Sequence, residues 1–414
     1  MIQRDEGHAP RGRSIRGADA VATRGAERVG RAAGGVGLGR RAMTRGGAGE
    51  GDGGAGRRRG AALRAVLASV MVMGGCGSRG GDGDAGESGS AGSTGSTGST
   101  SGSTTSPVDL PEPHAWELSL ALDEGQGAVF SVWGDGPGNI VAVGGQPMAG
   151  MVLRYEGGAW APDEVPPETP RLSWVHGVGG HLHAVGYYGA AIRHDGEAWV
   201  SETSGVSVPL WGVWGARSDE LWAVGGAGKS EPPVVLRGDG AGGWSPVDVS
   251  AISGDANALY KVWGRAQDDV YAVGARGLIL HYDGASWSAE ASGTLATLIG
   301  VSGAADGSGD VVVAGGRSSG LVLRRRQGVW ESLPLPEEPG LDGAWVDADG
   351  VATVVGRDGF IGAFVAGTSA WVPEVSGVMD ELHAVFGVPG GPVFAVGGRF
   401  EVAPYTGVIV RRVP

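Results

Sequence analysis

Residues Leu259 to Trp287 read LYKVWGRAQDDVYAVGARGLILHYDGASW. The same pattern opens at Val129, Leu172, Leu210, Leu259, Leu298, Leu341 and Leu382, with successive spacings of 43, 38, 49, 39, 43 and 41 residues. A period in this range marks a solenoid or a propeller, in which each unit buries its faces against its neighbours. The unit from Leu210 shows what one repeat contains. LWGVW alternates small and large residues as a strand does, ARSD is a polar break, and ELWAVG is a second strand ending on a glycine that permits a left-handed turn. VVLR is a third strand, followed by a DG pair and a strand carrying Trp244. Four strands in forty residues, with no helical period, make one propeller blade.

The seventh unit has LHAVFG, PVFAVGG and GVIVRR, and then the chain stops without its tryptophan strand. A strand of the missing kind, HAWELSLAL with Trp116, precedes the first unit. The expected fold is therefore all-β: a seven-bladed propeller of four-stranded blades. It is closed by an N-terminal strand pairing beside Val408 to Arg412, which removes exposed sheet edges. Trp160, Trp199, Trp244, Trp287, Trp330 and Trp371 recur in the fourth strands and read as inter-blade packing. Asp195-Gly196 and Asp283-Gly284 read as two-residue hairpin turns, with Glu156-Gly157 and Gln327-Gly328 as weaker forms.

Upstream of the repeats the composition changes twice. Up to Cys76 there are 14 basic and 6 acidic residues; from Cys76 onward there are 18 and 39. So acidic a repeat region repels nucleic-acid phosphates, and no nucleic-acid partner is expected. Residues 1–42 lack any apolar periodicity and read as a disordered or mis-annotated extension. Within 43–75, Arg57, Arg58, Arg59 and Arg64 flank the apolar run Ala65 to Met73. At ~1.5 Å per residue that run spans roughly 14 Å, half of a bilayer core, so it fits a secretory signal rather than a membrane span. Residues 76–110, with three GST repeats, have the composition of a flexible linker of roughly 30 Å reach, and 111–414 form the propeller.

Met73-Gly74-Gly75-Cys76 resembles a bacterial lipoprotein box, and Cys76 is the only cysteine in the chain. The resemblance implies lipidation of Cys76 after cleavage, export, and membrane attachment through several acyl chains. Gly77 in the second mature position resembles outer-membrane rather than inner-membrane sorting. Without further cysteines, the exported domain has no disulfides. The repeat units, with LxxVWG, an acidic turn, xAVG, ILHYDG and a following tryptophan, resemble bacterial propeller repeats of the BNR and photosystem-assembly-factor type. That resemblance implies functions ranging from sialidases to assembly factors. Sialidase boxes place one residue between Asp and Gly, whereas Asp195-Gly196 and Asp283-Gly284 are adjacent.

The search for chemistry leaves little. His176, His181 and His183 lie close together, but His176 occupies the slot of Trp133, Trp214 and Trp263, and His183 that of Trp222 and Tyr271. His194 likewise replaces Tyr155 and Tyr282. Histidines in aromatic slots read as structural, and no metal site is expected. Asp347-Ala348-Asp349-Gly350 resembles a calcium loop without the later bidentate acid, so calcium is the one cofactor considered and none is expected. What survives is an arc of basic residues in the loops between second and third strands: Arg276, Arg317, Arg357 and Arg399, with Lys229 in the third blade and Tyr187 and Tyr188 in the second. Guanidinium forks suit carboxylates and sulfates. Long loops in blades one, three and seven add Phe400 and Tyr405 as aromatic anchors.

The leading expectation is a monomeric, lipid-anchored, non-catalytic binding or scaffold module for an unknown protein or acidic glycan. One alternative is a glycan-cleaving enzyme in which an acid such as Glu401 assists the arginines. The other is an assembly factor for a membrane or surface complex.

Overall fold

The computed structural model describes Leu110 and residues 112–229, 231–304, 309–365 and 367–414. Cys76, the signal at 43–75, the extension at 1–42 and all but the last residue of the linker lie outside the described residues. The rest folds into seven four-stranded antiparallel sheets, one per repeat, set in a ring as a seven-bladed propeller. Their first strands line the central channel: Ala128–Gly136, Leu172–Val178, Leu210–Arg217, Leu259–Ala266, Leu298–Gly303, Leu341–Val346 and Leu382–Gly387. Each packs against the first strand of the next blade, and the last returns to the first.

Closure follows the expected route. Trp116–Leu122 pairs antiparallel with Thr406–Arg412, and this becomes the outer strand of the seventh blade. Trp116 lies opposite Arg412 and Ala121 opposite Val408. The closing strand is clasped to blade six by one carboxylate. Glu374 Oε2 accepts the indole N–H of Trp116 at 2.7 Å, while Oε1 accepts the backbone N–H of His114 at 3.2 Å and lies 2.9 Å from His114 Nδ1. Ala115 also forms a parallel bridge to Val375.

The clasp is one instance of a device the sequence shows as Trp-x-x-acid. Trp199 donates its indole N–H to Asp163 Oδ2 at 3.0 Å, Trp244 to Glu202 Oε2 at 2.9 Å and Trp330 to Glu290 Oε2 at 2.6 Å. In each case the acceptor stands three residues after the tryptophan of the preceding blade: Trp160 before Asp163, Trp199 before Glu202, Trp287 before Glu290. Ser119 takes the role after Trp116, accepting from Trp160 at 3.1 Å. Blade three has Val247 in that place, and the Trp287 Nε1 that would use it has no hydrogen-bond partner among the described residues. Trp116, Trp160, Trp199, Trp244 and Trp330 thus pack between blades and also fix their lateral register through hydrogen bonds.

Nearer the axis, the tryptophan of the VWG motif lies over a glycine of the following blade. Trp133 covers Gly177, Trp214 covers Gly264 and Trp345 covers Gly387, so that a Cβ on the glycine would collide with the indole. His176 takes the tryptophan place in blade two, between Trp133 and Trp214 with ring centroids 6.2 and 6.1 Å away. His183 lies opposite it in the sheet, as Trp222 lies opposite Trp214.

The turns differ from expectation in one respect. Glu156 pairs with Ala159 across Gly157 and Gly158, both at positive φ, and Arg326 pairs with Val329 across Gln327 and Gly328, also both positive. These are the two-residue hairpins. The Asp-Gly pairs instead begin four-residue loops: the last paired residues are His194 with Trp199 and Tyr282 with Trp287. The aspartate serves as an acceptor rather than as a left-handed residue. Asp283 Oδ1 accepts the N–H groups of Ala285 and Ser286, and Asp195 Oδ1 those of Glu197 and Ala198, which closes the loop without positive φ at the aspartate.

Candidate functional site at the channel mouth

Every inner strand carries a bulge at the same place. In blade three Leu210 pairs with Gly225 and Gly212 with Val224, leaving Trp211 unpaired, and the register shifts identically in the other six. A bulge places an extra residue on one strand and re-aims its side chain. The seven extra residues are Phe130, Ser173, Trp211, Tyr260, Ile299, Asp342 and His383, and all seven line one cavity of about 210 Å³ at a mouth of the channel. The flanking inter-blade and second-to-third-strand loops contribute Pro209, Gly226, Arg317, Arg357, Glu381 and Phe400. The repeat thus presents seven different side chains at one structural position.

One side of the mouth is aromatic. Trp211 lies 6.0 Å from Tyr260 and 5.2 Å from Tyr187, centroid to centroid, and its indole N–H is bound by Gly226 O at 3.2 Å. Phe130 stacks on the His383 ring at 4.8 Å and 9°, and Phe400 meets both edge-on at 5.1 and 4.9 Å. Beneath them the buried Arg171 guanidinium lies 3.9 Å from the Tyr187 ring centroid and donates to Phe400 O.

The same mouth also carries charged groups. Asp342 and Glu381 face each other, and burial, followed by the neighbouring Glu381 carboxyl, pushes the Asp342 carboxyl well above the usual range. Lys261 is 8 % exposed, with Nζ 3.2 Å from the centroid of the Trp174 ring, and burial holds its amine well below the ordinary lysine range. Burial lowers His383 to about 4; its Nε2–H donates to Gly398 O at 3.0 Å. Arg357 Nε lies 3.4 Å from Glu381 Oε1, and Arg317 stands exposed on the rim. A small concave site with one apolar wall and a few convergent polar groups has the form of a recognition pocket.

The structure sorts the residues singled out from sequence. Arg317, Arg357 and Phe400 reach this mouth, and Tyr187 supports it through Arg171 and Trp211. Arg276 does not. It occupies the middle of a one-turn 3₁₀ segment at φ +56°, equivalent to Tyr188 and Asp358, and points to a groove beside Asp255. Arg357 instead occupies the first place of that turn, equivalent to Tyr187, so the two arginines diverge despite their similar distance from a glycine. Arg399 lines a groove with Met379 and Asp380 that adjoins the mouth through Glu381, Phe400 and Glu401; Lys229 and Tyr188 are exposed, and Tyr405 is half-buried farther along the seventh-blade loop. Asp347, considered for calcium, spends Oδ1 on the N–H groups of Asp349 and Val351, which accounts for it as a turn residue.

The bulge residues, Lys261 and Glu381 were not singled out by sequence reasoning. A signal existed: the residue after each repeat opening changes character in every blade, running Phe130, Ser173, Trp211, Tyr260, Ile299, Asp342 and His383.

No family model matches the sequence, and no curated protein matches it significantly. Solved structures do. YCF48 from Cyanidioschyzon merolae aligns over 72% of this chain and 99% of its own, at 15% identity and TM-score 0.53. Virginiamycin B lyase from Staphylococcus aureus, in a catalytically inactive form with quinupristin, aligns over 72% and 99% at 9% identity and TM-score 0.56. The WD40 propeller domain of Doa1 aligns over 72% and 97% at 10% identity and TM-score 0.54. The shared feature is the propeller fold. A fold of this kind does not by itself select a function.

Proposed function

We propose that this protein is a lipid-anchored, extracytoplasmic binding module whose channel mouth takes an acidic side chain or terminal carboxylate of a partner protein, and that it catalyses nothing. The observation that carries this reading is the convergence of Lys261, Arg317 and Arg357 with the aromatic wall of Phe130, Trp211, Tyr260 and Phe400 on one cavity. At about 210 Å³ the cavity is smaller than the roughly 300–1,000 Å³ of drug-sized ligand pockets, and suits one side chain better than an extended glycan. Guanidinium groups give a carboxylate two parallel donors, and the aromatic wall supplies rigid apolar contact. The anchor part of the reading rests on the basic flank, the short apolar run and Cys76.

Selection from a displayed peptide library tests the binding part. Enrichment of peptides bearing Asp, Glu or a free C-terminus is expected for the protein and is lost in the Arg317→Glu, Arg357→Glu double variant. Absence of enrichment, or the same peptides selected by that variant, refutes the reading. Cys76→Ala is expected to move the protein from the membrane to the soluble fraction; retention of that variant in membranes refutes lipid anchoring. Glycan cleavage, the alternative class, draws support from the facing Asp342 and Glu381 carboxyls, and release of reducing ends from acidic glycans in a purified preparation would establish it.

A further inference from the structure

Asp342 and His383 are bulge residues of adjacent inner strands, and Glu381 directly precedes the second of those strands. One donor atom from each lies within 4.8 Å of the donors of the other two. Three observations concern what such a set requires. First, Asp342 Oδ2 is buried and accepts from no donor among the described residues, while the Glu381 carboxyl stands beside it; two neighbouring carboxyls need a shared proton or a cation between them. Second, His383 is 8 % exposed, and its Nε2 faces a carbonyl oxygen, Gly398 O, at 3.0 Å. A carbonyl only accepts, so Nε2 carries the proton and the Nδ1 lone pair of the neutral ring is free. A backbone carbonyl on the far nitrogen is the usual support of a metal-bound imidazole, because it fixes both tautomer and ring orientation. Third, Phe130 stacks flat on the same ring and Phe400 meets it edge-on, so the imidazole is held on its faces as well.

We infer that Asp342, Glu381 and His383 form a binding site for a divalent transition-metal ion. One imidazole and two carboxylates suit Zn²⁺, Mn²⁺ or Fe²⁺. A metal bound at ~2.0–2.2 Å places its donors roughly 3–3.5 Å apart, so small side-chain rotations close the observed set around an ion. Arg357 lies against Glu381 Oε1 and leaves Oε2 for the metal. Lys261 lines the same cavity, with its Nζ over the Trp174 ring. Because all three ligands line the mouth cavity, the remaining coordination positions open into it, where a carboxylate or carbonyl of the bound partner would complete them. This inference deepens the binding reading at the same mouth, but the ion alone tests it.

The test uses the purified chain stripped with chelator and titrated with Mn²⁺, whose free-ion electron-spin signal falls on binding, and with Zn²⁺ by calorimetry. One equivalent is expected to bind at this site and to raise the melting temperature. Asp342→Asn and Glu381→Gln, each nearly isosteric, are expected to weaken that equivalent at least about 100-fold. Arg357→Ala, which removes a competing cation, is expected to tighten it. Failure of both metals to bind, or binding unchanged in the Asn and Gln variants, overturns the site. His383→Ala is expected to lose that equivalent; should it fail to fold, the two carboxylate variants and Arg357→Ala still decide the matter. Peptide selection without metal binding would leave the function reading standing and remove only the ion.

Discussion

Replacing Trp116 by phenylalanine tests how the ring is held shut. Trp116 is buried against blade six, and its indole N–H reaches Glu374 Oε2 at 2.7 Å; the Glu374 side chain is 1 % exposed. Phenylalanine keeps most of the apolar area but removes the donor, leaving one oxygen of a buried carboxylate unpaired. A hydrogen bond to a charged group contributes roughly 1.5–3 kcal/mol. Trp287 provides the control: it occupies the equivalent place in blade four, is similarly buried, and its Nε1 has no hydrogen-bond partner among the described residues. Trp287→Phe therefore loses packing alone, and Trp116→Phe should exceed it by about 1.5–3 kcal/mol. Urea unfolding followed by far-ultraviolet circular dichroism measures both, since that signal does not depend on the tryptophan removed. A double-mutant cycle of Trp116→Phe with Glu374→Met should return a coupling energy of the same size. Equal losses for the two tryptophans, together with a coupling energy below about 0.5 kcal/mol, would refute the clasp.

Three further outcomes follow from particular positions. Val247→Glu puts an acceptor where other blades have one, within reach of the Trp287 indole and of Arg237, the counterpart of Arg154 and Arg193; it should raise stability by about 0.5–1.5 kcal/mol, and a lowered melting temperature would count against the Trp-x-x-acid relay. Gly387→Ala drives a Cβ into the Trp345 ring and should cost about 1–3 kcal/mol or more, whereas an unchanged melting temperature would contradict the packing of indole on glycine. His183 is 1 % exposed, has no hydrogen-bond partner on either ring nitrogen among the described residues, and is lowered by burial to about 3. Its unfolded form takes up a proton below about 6.5 while the folded form stays neutral, so stability falls as pH drops from 6.5 toward 3. The part of this fall between pH 7.5 and 5 is about 2 kcal/mol. His183→Tyr, matching Tyr271 in blade four, should remove that part, and an unaltered pH profile would show that His183 does not titrate between folded and unfolded states.

Much of the fold was legible because each repeated residue does the same packing job seven times. The strand alternation, the closing strand around Trp116 and the histidines in aromatic slots could all be read by aligning one unit on another. The Asp-Gly turns were misread as two-residue hairpins, since Asp283 and Asp195 act through Oδ1 as acceptors, a role the dipeptide does not distinguish from left-handed backbone. The arginine arc was legible only in part. Arg276 and Arg357 stand a similar distance after a glycine, yet one turn places them in different positions and sends them to different grooves.

The sequence by itself determined a seven-fold β ring and the means of closing it, because period, alternation and the missing tryptophan strand are local or strictly repeated signals. The tertiary structure alone decided which residues meet. A one-residue bulge in each inner strand breaks the in-and-out alternation by which side chains are assigned to faces, and turns Trp211, Asp342 and His383 toward the axis. Ring closure then brings Phe130 from the first blade onto His383 of the last, an encounter across 253 residues that no spacing in the chain encodes.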